Sequence, residues 1–250
     1  MPTKRRQNSF LPHRLPRDHR ANRILGSLDE ADYSILEPDL QAVILPRGTV
    51  LYEPGDPIQY TYFPHDAIVS LIDVMEDGRH AEVAIFGCEG FFGLLSSFFS
   101  REAFGRYVVQ IPGSASRIPV EAMHQVMKSR LEIRHLVLAY NEALIAQAYH
   151  SVACNALHAV EARCSRWILT TRDRHDEDAL PLTHEFLAEM LGVQRSTVSS
   201  ILRSFQHSGL IEQRRGVIVI VDRGGLEREA CECYHKIHAR FRQLTMPRQK

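Results

Sequence analysis

A polar stripe in the last third of the chain carries residue types that suit contact with nucleic acid. It opens at Gln194, and its first turns would expose hydroxyls, an amide and arginines without an acid. Arginine presents two donors to a guanine edge, and hydroxyl groups contact phosphates. The candidate DNA contacts are Thr183, Gln194, Arg195, Ser196, Thr197, Ser199, Ser200, Arg203, Arg214 and Arg215.

The pattern around this stripe predicts two short helices and a hairpin. Residues 182–191 form a helix with Thr183 as N-cap, and residues 194–208 form a second helix. Gly192 allows the tight turn between them, and Gly209 ends the second helix. Residues 210–221 indicate a two-stranded wing. Together these signals predict a winged helix-turn-helix, and a helical hairpin that merely packs is the alternative.

The cysteines favour a reducing compartment. The chain has five, an odd number at irregular spacing, which is not a disulfide framework. We therefore expect a cytoplasmic protein without a cofactor. One alternative remains: Cys231, His235 and His238 would share a helix face and hold zinc with a fourth ligand from elsewhere. The other interpretation of these residues is an ordinary helix with incidental His and Cys.

Signature motifs of common enzyme families are missing from the sequence. It contains no Walker loop, no GxGxxG after a strand, no HExxH and no GxSxG. The 44% of hydrophobic residues argues against disorder, and no apolar run is long enough for a membrane span. We expect a DNA-binding protein rather than an enzyme. A ligand-binding sensor or scaffold without DNA binding is the alternative.

Charge is strongly uneven although the net charge is zero. Residues 29–125 carry 15 acidic and 5 basic side chains, whereas residues 183–250 carry 11 basic and 7 acidic ones. Residues 1–27 hold seven basic residues, several prolines and few apolar ones, which is typical of a flexible arm. A polyanion would therefore meet the carboxyl end of the chain.

The elements that position these residues change type along the chain. From residue 41 to residue 119, short β-prone segments alternate with turns such as Glu76-Asp77-Gly78, which predicts an antiparallel sandwich or roll. After Pro119 a short helix covers residues 120–128. The predicted class is α+β, with an N-terminal jelly-roll-like β-roll, a long helix and a C-terminal winged helix-turn-helix.

The long helix spans residues 131–157, which include no Gly and no Pro. At 1.5 Å per residue it is about 40 Å long, and its apolar spacing favours packing against a second copy. A core helix inside one subunit is the alternative. The predicted dimer seam consists of Val137, Tyr140, Leu144, Ala148 and Val152.

With these features the sequence resembles the Crp/Fnr-type bacterial transcription regulators. The segment 182–221 is similar to their winged helix-turn-helix, the strand region to their cyclic-nucleotide-binding β-roll, and the long helix to their dimerisation helix. The resemblance implies a homodimer on two-fold symmetric double-stranded DNA. It leaves open RNA polymerase as a partner, the effector, the operator, and activation or repression.

The resemblance also suggests roles within the recognition helix. The family carries Arg, then Glu, then a further Arg or Ser as base contacts. Arg195 matches the first position, Ser196 stands where the acid would be, and Ser200 stands at the last. Arg195 is therefore the candidate for a bidentate contact to guanine.

The resemblance breaks down at the ligand pocket. Cyclic-nucleotide binders of the family hold the ribose with a Glu and the phosphate with an Arg, but Phe91 and Gly105 stand at those positions. Arg106 is one residue away, which turns its side chain to the other face of a strand. We expect no cyclic AMP, and no iron–sulfur cluster because no cysteine precedes Cys88. The effector is apolar, unknown or absent. The candidate pocket residues are Gly90, Phe91, Phe92, Gly93, Arg106, Tyr107, Ala148 and Tyr149.

The sequence thus divides into five segments. They are a basic arm (1–27), a sensor β-roll (28–125), a dimerisation helix (126–157), a winged helix-turn-helix (158–225) and a helical tail (226–250).

Overall fold

The chain is described by a computed structural model over residues 18–78 and 80–244. Most of the predicted basic arm (1–17) and the last residues of the predicted tail (245–250) lie outside the described residues. The protein consists of an antiparallel β-roll, a long helix and a small winged unit in chain order. This arrangement confirms the predicted fold class. Within the described ranges, no helix combines the length and apolar character that crossing a membrane requires.

The β-roll is built from two antiparallel sheets with strand orders β1-β7-β3 and β2-β6-β4-β5. Alternating side chains from both sheets form its core. Its strands are β1 (Gln41–Leu45), β2 (Val50–Tyr52), β3 (Tyr60–Pro64), β4 (Ile68–Val74), β5 (His80–Phe86), β6 (Arg106–Ile111) and β7 (Gly113–Pro119).

The first described residues belong to the roll, contrary to the predicted arm boundary. Helices α1 (Arg23–Gly26) and α2 (Glu30–Leu36) pack on the roll. The side chain of Asn22 is buried and donates hydrogen bonds of 2.8 Å to the carbonyls of Pro64 and Gly90. Residues 18–27 are therefore part of the folded unit, because their buried polar groups are satisfied by the roll.

Three helices lead out of the roll. They are α3 (Val120–Ser129), α4 (Leu131–Leu157) and α5 (Val160–His175). The bounds of α4 are those predicted, because no Gly or Pro interrupts it. His158 and Ala159 separate α4 from α5, and we call this two-residue link the hinge.

The predicted seam on α4 is wrong in two of its residues. Val137 and Tyr140 are buried inside the subunit, where they cannot reach a second copy, and Leu144 is half-buried. The exposed apolar face of α4 lies to one side of that line. Its residues Leu131, Leu138, Ile145 and Val152 are seven positions apart and between 47% and 72% exposed. Ala148 and Val152 of the predicted seam are also exposed.

The winged unit forms as the local signals predict. Gly192 and Gly209 adopt φ values of 66° and 72°, at which the backbone of a residue with a side chain would be strained. A third strand, which the sequence did not reveal, completes the wing sheet in the order β8-β10-β9. The elements are β8 (Ala179–Leu180), α6 (His184–Leu191), α7 (Arg195–His207), β9 (Ile211–Arg214) and β10 (Val217–Ile220).

The end of the chain returns to the long helix. Helix α8 (Arg223–Glu229) follows the wing, and α9 (Cys233–Leu244) packs along α4. Phe241 of α9 meets the Tyr140 ring edge-on at 5.9 Å between centroids. The segment predicted as a tail is therefore part of the core that includes α4.

A buried ion pair joins the roll to the winged unit. Arg174, near the end of α5, is 3% exposed, and its Nε lies 2.6 Å from Oε1 of Glu89 in the loop after β5. Its Nη2 donates to Oε1 of Gln147 on α4 at 2.7 Å, and its guanidinium lies over the ring of Phe241. One side chain thus holds elements from the roll, α4, α5 and α9 together.

We expect Arg174→Met to lower the free energy of unfolding by about 3–5 kcal/mol, because it leaves the carboxylate of Glu89 buried without a partner. The double variant Glu89→Leu/Arg174→Met should recover most of that loss. Urea denaturation measures both. As a control, Arg240→Met removes a largely exposed pair with Glu142 and should cost less than about 1 kcal/mol. If Arg174→Met also costs less than about 1 kcal/mol of unfolding free energy, the ion pair with Glu89 does not hold these elements together.

Candidate nucleic-acid interface and sensor cavity

Nine of the ten predicted DNA contacts belong to α7, its N-cap and the wing, and Thr183 belongs to the start of α6. Gln194 is the N-cap of α7, and Thr183 is the N-cap of α6 and accepts from the backbone N–H of Phe186. Thr183, Thr197 and Ser199 are half-buried. The exposed members of the set are Gln194, Arg195, Ser196, Ser200, Arg203, Arg214 and Arg215. The hydrophobic side of α7 packs on the core through Val198, Ile201, Leu202 and Phe205.

Arg195 has an acidic partner, contrary to the sequence analysis. Its Nε lies 2.8 Å from Oε1 of Glu185, which projects from α6, and both side chains are more than half exposed. An exposed pair of this kind contributes about 0–1 kcal/mol, less than the roughly 1–3 kcal/mol of a bidentate guanine contact. A pair this weak leaves Arg195 able to exchange Glu185 for another partner.

A histidine that the sequence analysis did not single out connects the wing to both helices. Nδ1 of His184 lies 2.9 Å from Oγ of Ser199 on α7, and its Nε2 lies 2.9 Å from Oε1 of Gln213 on β9. The ring thus accepts from the serine hydroxyl and donates to the amide. Ser199 is engaged inside the unit, so its first role is to hold α7 against the wing. In the sequence, the only local signal for His184 is that it directly follows Thr183, the predicted N-cap of its helix.

The wing places two arginines beside the start of α7. Arg214 hydrogen-bonds both carboxylate oxygens of Glu212, at 3.1 and 3.0 Å, and these bonds lower the pKa of Glu212. Arg215 is exposed at the wing turn. A groove of about 280 Å³ separates the wing from the helices, with Arg195, Arg214 and Arg215 along its walls. Cationic side chains on both walls of a groove suit a phosphate backbone.

The roll contains a second feature, a cavity of about 210 Å³ between its four-stranded sheet and α4. Among the described residues that line it, none carries a charge. The lining residues are Leu71, Val83, Ala84, Phe86, Phe91, Phe92, Gly93, Leu95, Phe104, Tyr107, Asn141, Leu144, Ile145 and Ala148.

The structure brings together five of the eight residues predicted for this pocket: Phe91, Phe92, Gly93, Tyr107 and Ala148. The other three lie elsewhere for separate reasons.

Gly90 packs against Tyr140 so closely that a Cβ would lie 2.0 Å from the phenol oxygen. Arg106 points to the other face of β6, where its Nε lies 2.8 Å from Oε2 of Glu53. Tyr149 is 74% exposed on α4. These three residues are therefore removed from the predicted pocket.

The polar groups of the described residues that line the cavity are all uncharged. Oδ1 of Asn141 is buried without a hydrogen-bond partner, and burial raises the pKa of the Tyr107 phenol, which keeps it protonated. Gly105 has no room for an arginine, since a Cβ there would lie 2.7 Å from the carbonyl oxygen of Ile72. The cavity therefore holds neutral hydrogen-bonding groups where a phosphate would require a cation.

The predicted zinc grouping does not assemble. His235 is exposed, and Nε2 of His238 lies 3.6 Å from Asp173, with its ring stacked on Tyr234. Cys231 is turned toward Cys154 instead. The helical spacing that suggested the grouping fails because Cys231 precedes α9 and is not part of it.

Two family models match the chain in the order of these features. Residues 42–130 match the cyclic nucleotide-binding domain, and residues 162–229 match the Crp-like helix-turn-helix domain. The first match covers the roll and α3, and the second covers α5 to α8.

Similar proteins are transcription regulators. The global nitrogen regulator of Synechococcus elongatus is 26% identical over 182 residues, which are 69% of this chain and 82% of that protein. The CRP-like cAMP-activated global transcriptional regulator of Mycobacterium tuberculosis is 24% identical over 214 residues, 83% of this chain and 96% of that protein. Among solved structures, FixK2 from Bradyrhizobium japonicum superposes with a TM-score of 0.66 at 16% identity, covering 77% of this chain and 98% of that one. The two matched domains occur in the order found in these regulators, and α7 exposes a basic face. The chain belongs to the Crp/Fnr-type DNA-binding transcription regulators.

Proposed function

We propose that this regulator is a homodimer that reads a two-fold symmetric DNA site and responds to an apolar effector rather than to a cyclic nucleotide. The exposed face of α7, with Arg195 at its start and the wing arginines beside it, is the observation that carries the proposal. The protein works in the cytoplasm, since none of its five cysteines forms a disulfide, and no reaction is assigned to it.

The dimer is supported by the exposed face of α4. Leu131, Leu138, Ile145 and Val152 repeat every seven residues, which is the spacing of a left-handed coiled coil. A helix of about 40 Å with such a stripe buries its apolar face only against another surface. A second copy of α4 supplies a matching stripe and would set the two recognition helices about one DNA turn apart.

The choice of effector is supported by the lining of the cavity. An anionic nucleotide would lose its hydration without gaining a cation, which is costly. An apolar ligand fills the cavity without burying an unpaired charge, since the lining residues are uncharged. Ile145 belongs both to the cavity wall and to the exposed stripe of α4. An effector would therefore act next to the dimer contact.

DNA reading is tested with Arg195→Ala and Arg214→Ala. We expect Arg195→Ala to lower affinity for a selected specific duplex by about 1–3 kcal/mol and to relax preference at one base pair per half-site, with little change on a scrambled duplex. Arg214→Ala should weaken both duplexes alike and reduce the salt dependence by about one ion per subunit. Titration at two salt concentrations measures these effects.

Glu185→Gln serves as the matched control, because it removes the partner of Arg195 and leaves the arginine in place. It should strengthen binding to both duplexes slightly, since a carboxylate near the phosphates is lost. Equal losses on both duplexes for Arg195→Ala would show that Arg195 is a phosphate contact and that the base-reading role is wrong.

The dimer is tested with Leu138→Arg and Ile145→Arg. Both side chains are about half exposed in the single subunit, so arginine leaves the fold intact but places unpaired charges in the seam. Analytical ultracentrifugation should show monomers at micromolar concentration. Val221→Arg, at an apolar position outside α4 that is 63% exposed, should remain dimeric. Folded dimers of both α4 variants would rule out this stripe as the interface.

The cavity is tested with cyclic AMP at 1 mM, which should shift the melting temperature by less than about 1 °C, because ligands stabilise through occupancy. Micromolar binding would instead add about 4 kcal/mol, a shift on the order of 10 °C for a chain of this size. Differential scanning fluorimetry distinguishes the two. A shift of several degrees that Ala148→Phe abolishes would mean that the nucleotide occupies the cavity.

A further inference from the structure

Three cysteines and a histidine converge at the hinge between α4 and α5. Sγ of Cys154, Sγ of Cys231, Sγ of Cys233 and a ring nitrogen of His158 all lie within 4.8 Å of one another. Sγ of Cys154 is 3.4 Å from Sγ of Cys231, and Sγ of Cys233 is 3.7 Å from Nδ1 of His158. All three cysteines are buried and free of disulfides.

Two distant segments supply these side chains. Cys154 lies in the last turn of α4, and His158 follows at its C-cap, where its backbone N–H donates to the carbonyl of Cys154. Their spacing of four puts both side chains on one face of the helix end. Cys231 and Cys233 come from the turn that starts α9. The return of α9 along α4 brings the pairs together.

We propose that these four residues form a Cys3His site for a zinc ion. Zinc–sulfur bonds of about 2.3 Å put the ligand atoms of a tetrahedral site roughly 3.8 Å apart, close to the separations found here. Thiolate and imidazole ligands select zinc over magnesium or calcium, which prefer oxygen. In a [4Fe–4S] cluster each cysteine binds a different iron, which requires cysteine sulfurs farther apart than the 3.4 Å between Cys154 and Cys231.

The surroundings of His158 support metal binding. Its Nε2 lies 3.1 Å from Oε2 of Glu232, which sits between the two cysteines of the α9 turn. A proton on Nε2 that is donated to this carboxylate leaves the lone pair of Nδ1 pointing toward Cys233. Histidine ligands of zinc commonly have such a carboxylate behind them, because it fixes the tautomer and the ring orientation.

The site has the properties of a structural metal site. It offers four protein ligands, which leave no open position for a substrate, and each cysteine is at most 6% exposed. A disulfide between Cys154 and Cys231 would account for two of the residues, but it would leave His158, Glu232 and Cys233 without a role. A zinc ion accounts for all of them at once.

The position of the site indicates what the ion would do. It would fasten the start of α9 to the residues that end α4, immediately before α5 leads into the winged unit. Because the hinge is only two residues long, such a bond would restrict the angle between α4 and the DNA-binding unit. Zinc would therefore stabilise the folded chain and one placement of the recognition helix.

The experiment uses the full chain purified under reducing conditions from zinc-supplemented cells without chelators. We expect mass spectrometry of metals to find about one zinc ion per chain. Replacement by cobalt should give the intense visible bands of a tetrahedral site and near-ultraviolet thiolate charge transfer. Removing the metal from the wild-type chain should lower its melting temperature.

Cys231→Ala and Cys154→Ala should each lose the bound zinc. Cys164→Ala is the matched control, since Cys164 is equally buried on α5 but lies outside the cluster, and it should keep the ion. Cobalt titration of the metal-free wild-type chain needs no variant and decides the case even where a variant misfolds.

Two results would overturn the proposal. One is a reduced wild-type chain that binds neither zinc nor cobalt with thiolate charge transfer. The other is zinc bound in equal amount by Cys231→Ala. A Cys154–Cys231 disulfide in the chain purified without reductant, together with no metal uptake after reduction, would replace the zinc site with a thiol pair.

Discussion

The buried guanidinium of Arg174 fixes the loop after β5, α4 and the end of α5 relative to one another. Arg174 is removed from water, so its charge must stay paired with Glu89, and its Nη2 donates to Oε1 of Gln147. The backbone follows the same contact: the N–H of Cys88 donates to the carbonyl of Arg174, and Gly87 approaches that carbonyl where a Cβ would lie at 2.5 Å. A shift of any one of three segments therefore breaks contacts with the other two. These segments are the loop after β5, α4 and the end of α5.

The Arg174–Glu89 pair lies within a few residues of both the cavity wall and α9. Glu89 is followed directly by Gly90, Phe91 and Phe92, and the two phenylalanines form part of the cavity wall. Phe91 also packs on Tyr140 at 4.3 Å between centroids, and Tyr140 meets Phe241 of α9. A ligand in the cavity would therefore contact the same loop that carries Glu89. Packed interiors respond to strain by switching between arrangements rather than by yielding gradually.

Local signals in the sequence were sufficient for the elements and insufficient for their faces. The bounds of α4 and the glycines at the ends of α6 and α7 follow from residues within a few positions. The Gly, Ser and Ala residues of β7 have weak β propensity, so its place at the centre of a sheet depends on its neighbours rather than on a local signal. On α4, apolar residues occupy two adjacent stripes. Only the packing of α9 and the roll decides that Tyr140 is buried while Leu138 is exposed.

The same limit applies to the sites. Arg195 was recognised from its own helix, but its partner Glu185 belongs to another helix, and the pairing is a tertiary contact. Cys154 and Cys231 are 77 positions apart, so neither the Cys-x3-His end of α4 nor the Cys-x-Cys turn was specific enough alone. Their meeting requires α9 to lie along α4, which the Tyr140–Phe241 contact and the cover of Phe241 over Arg174 provide. The buried arginine and the cysteine cluster thus fasten the same hinge from two sides, and the C-terminal helix takes part in both.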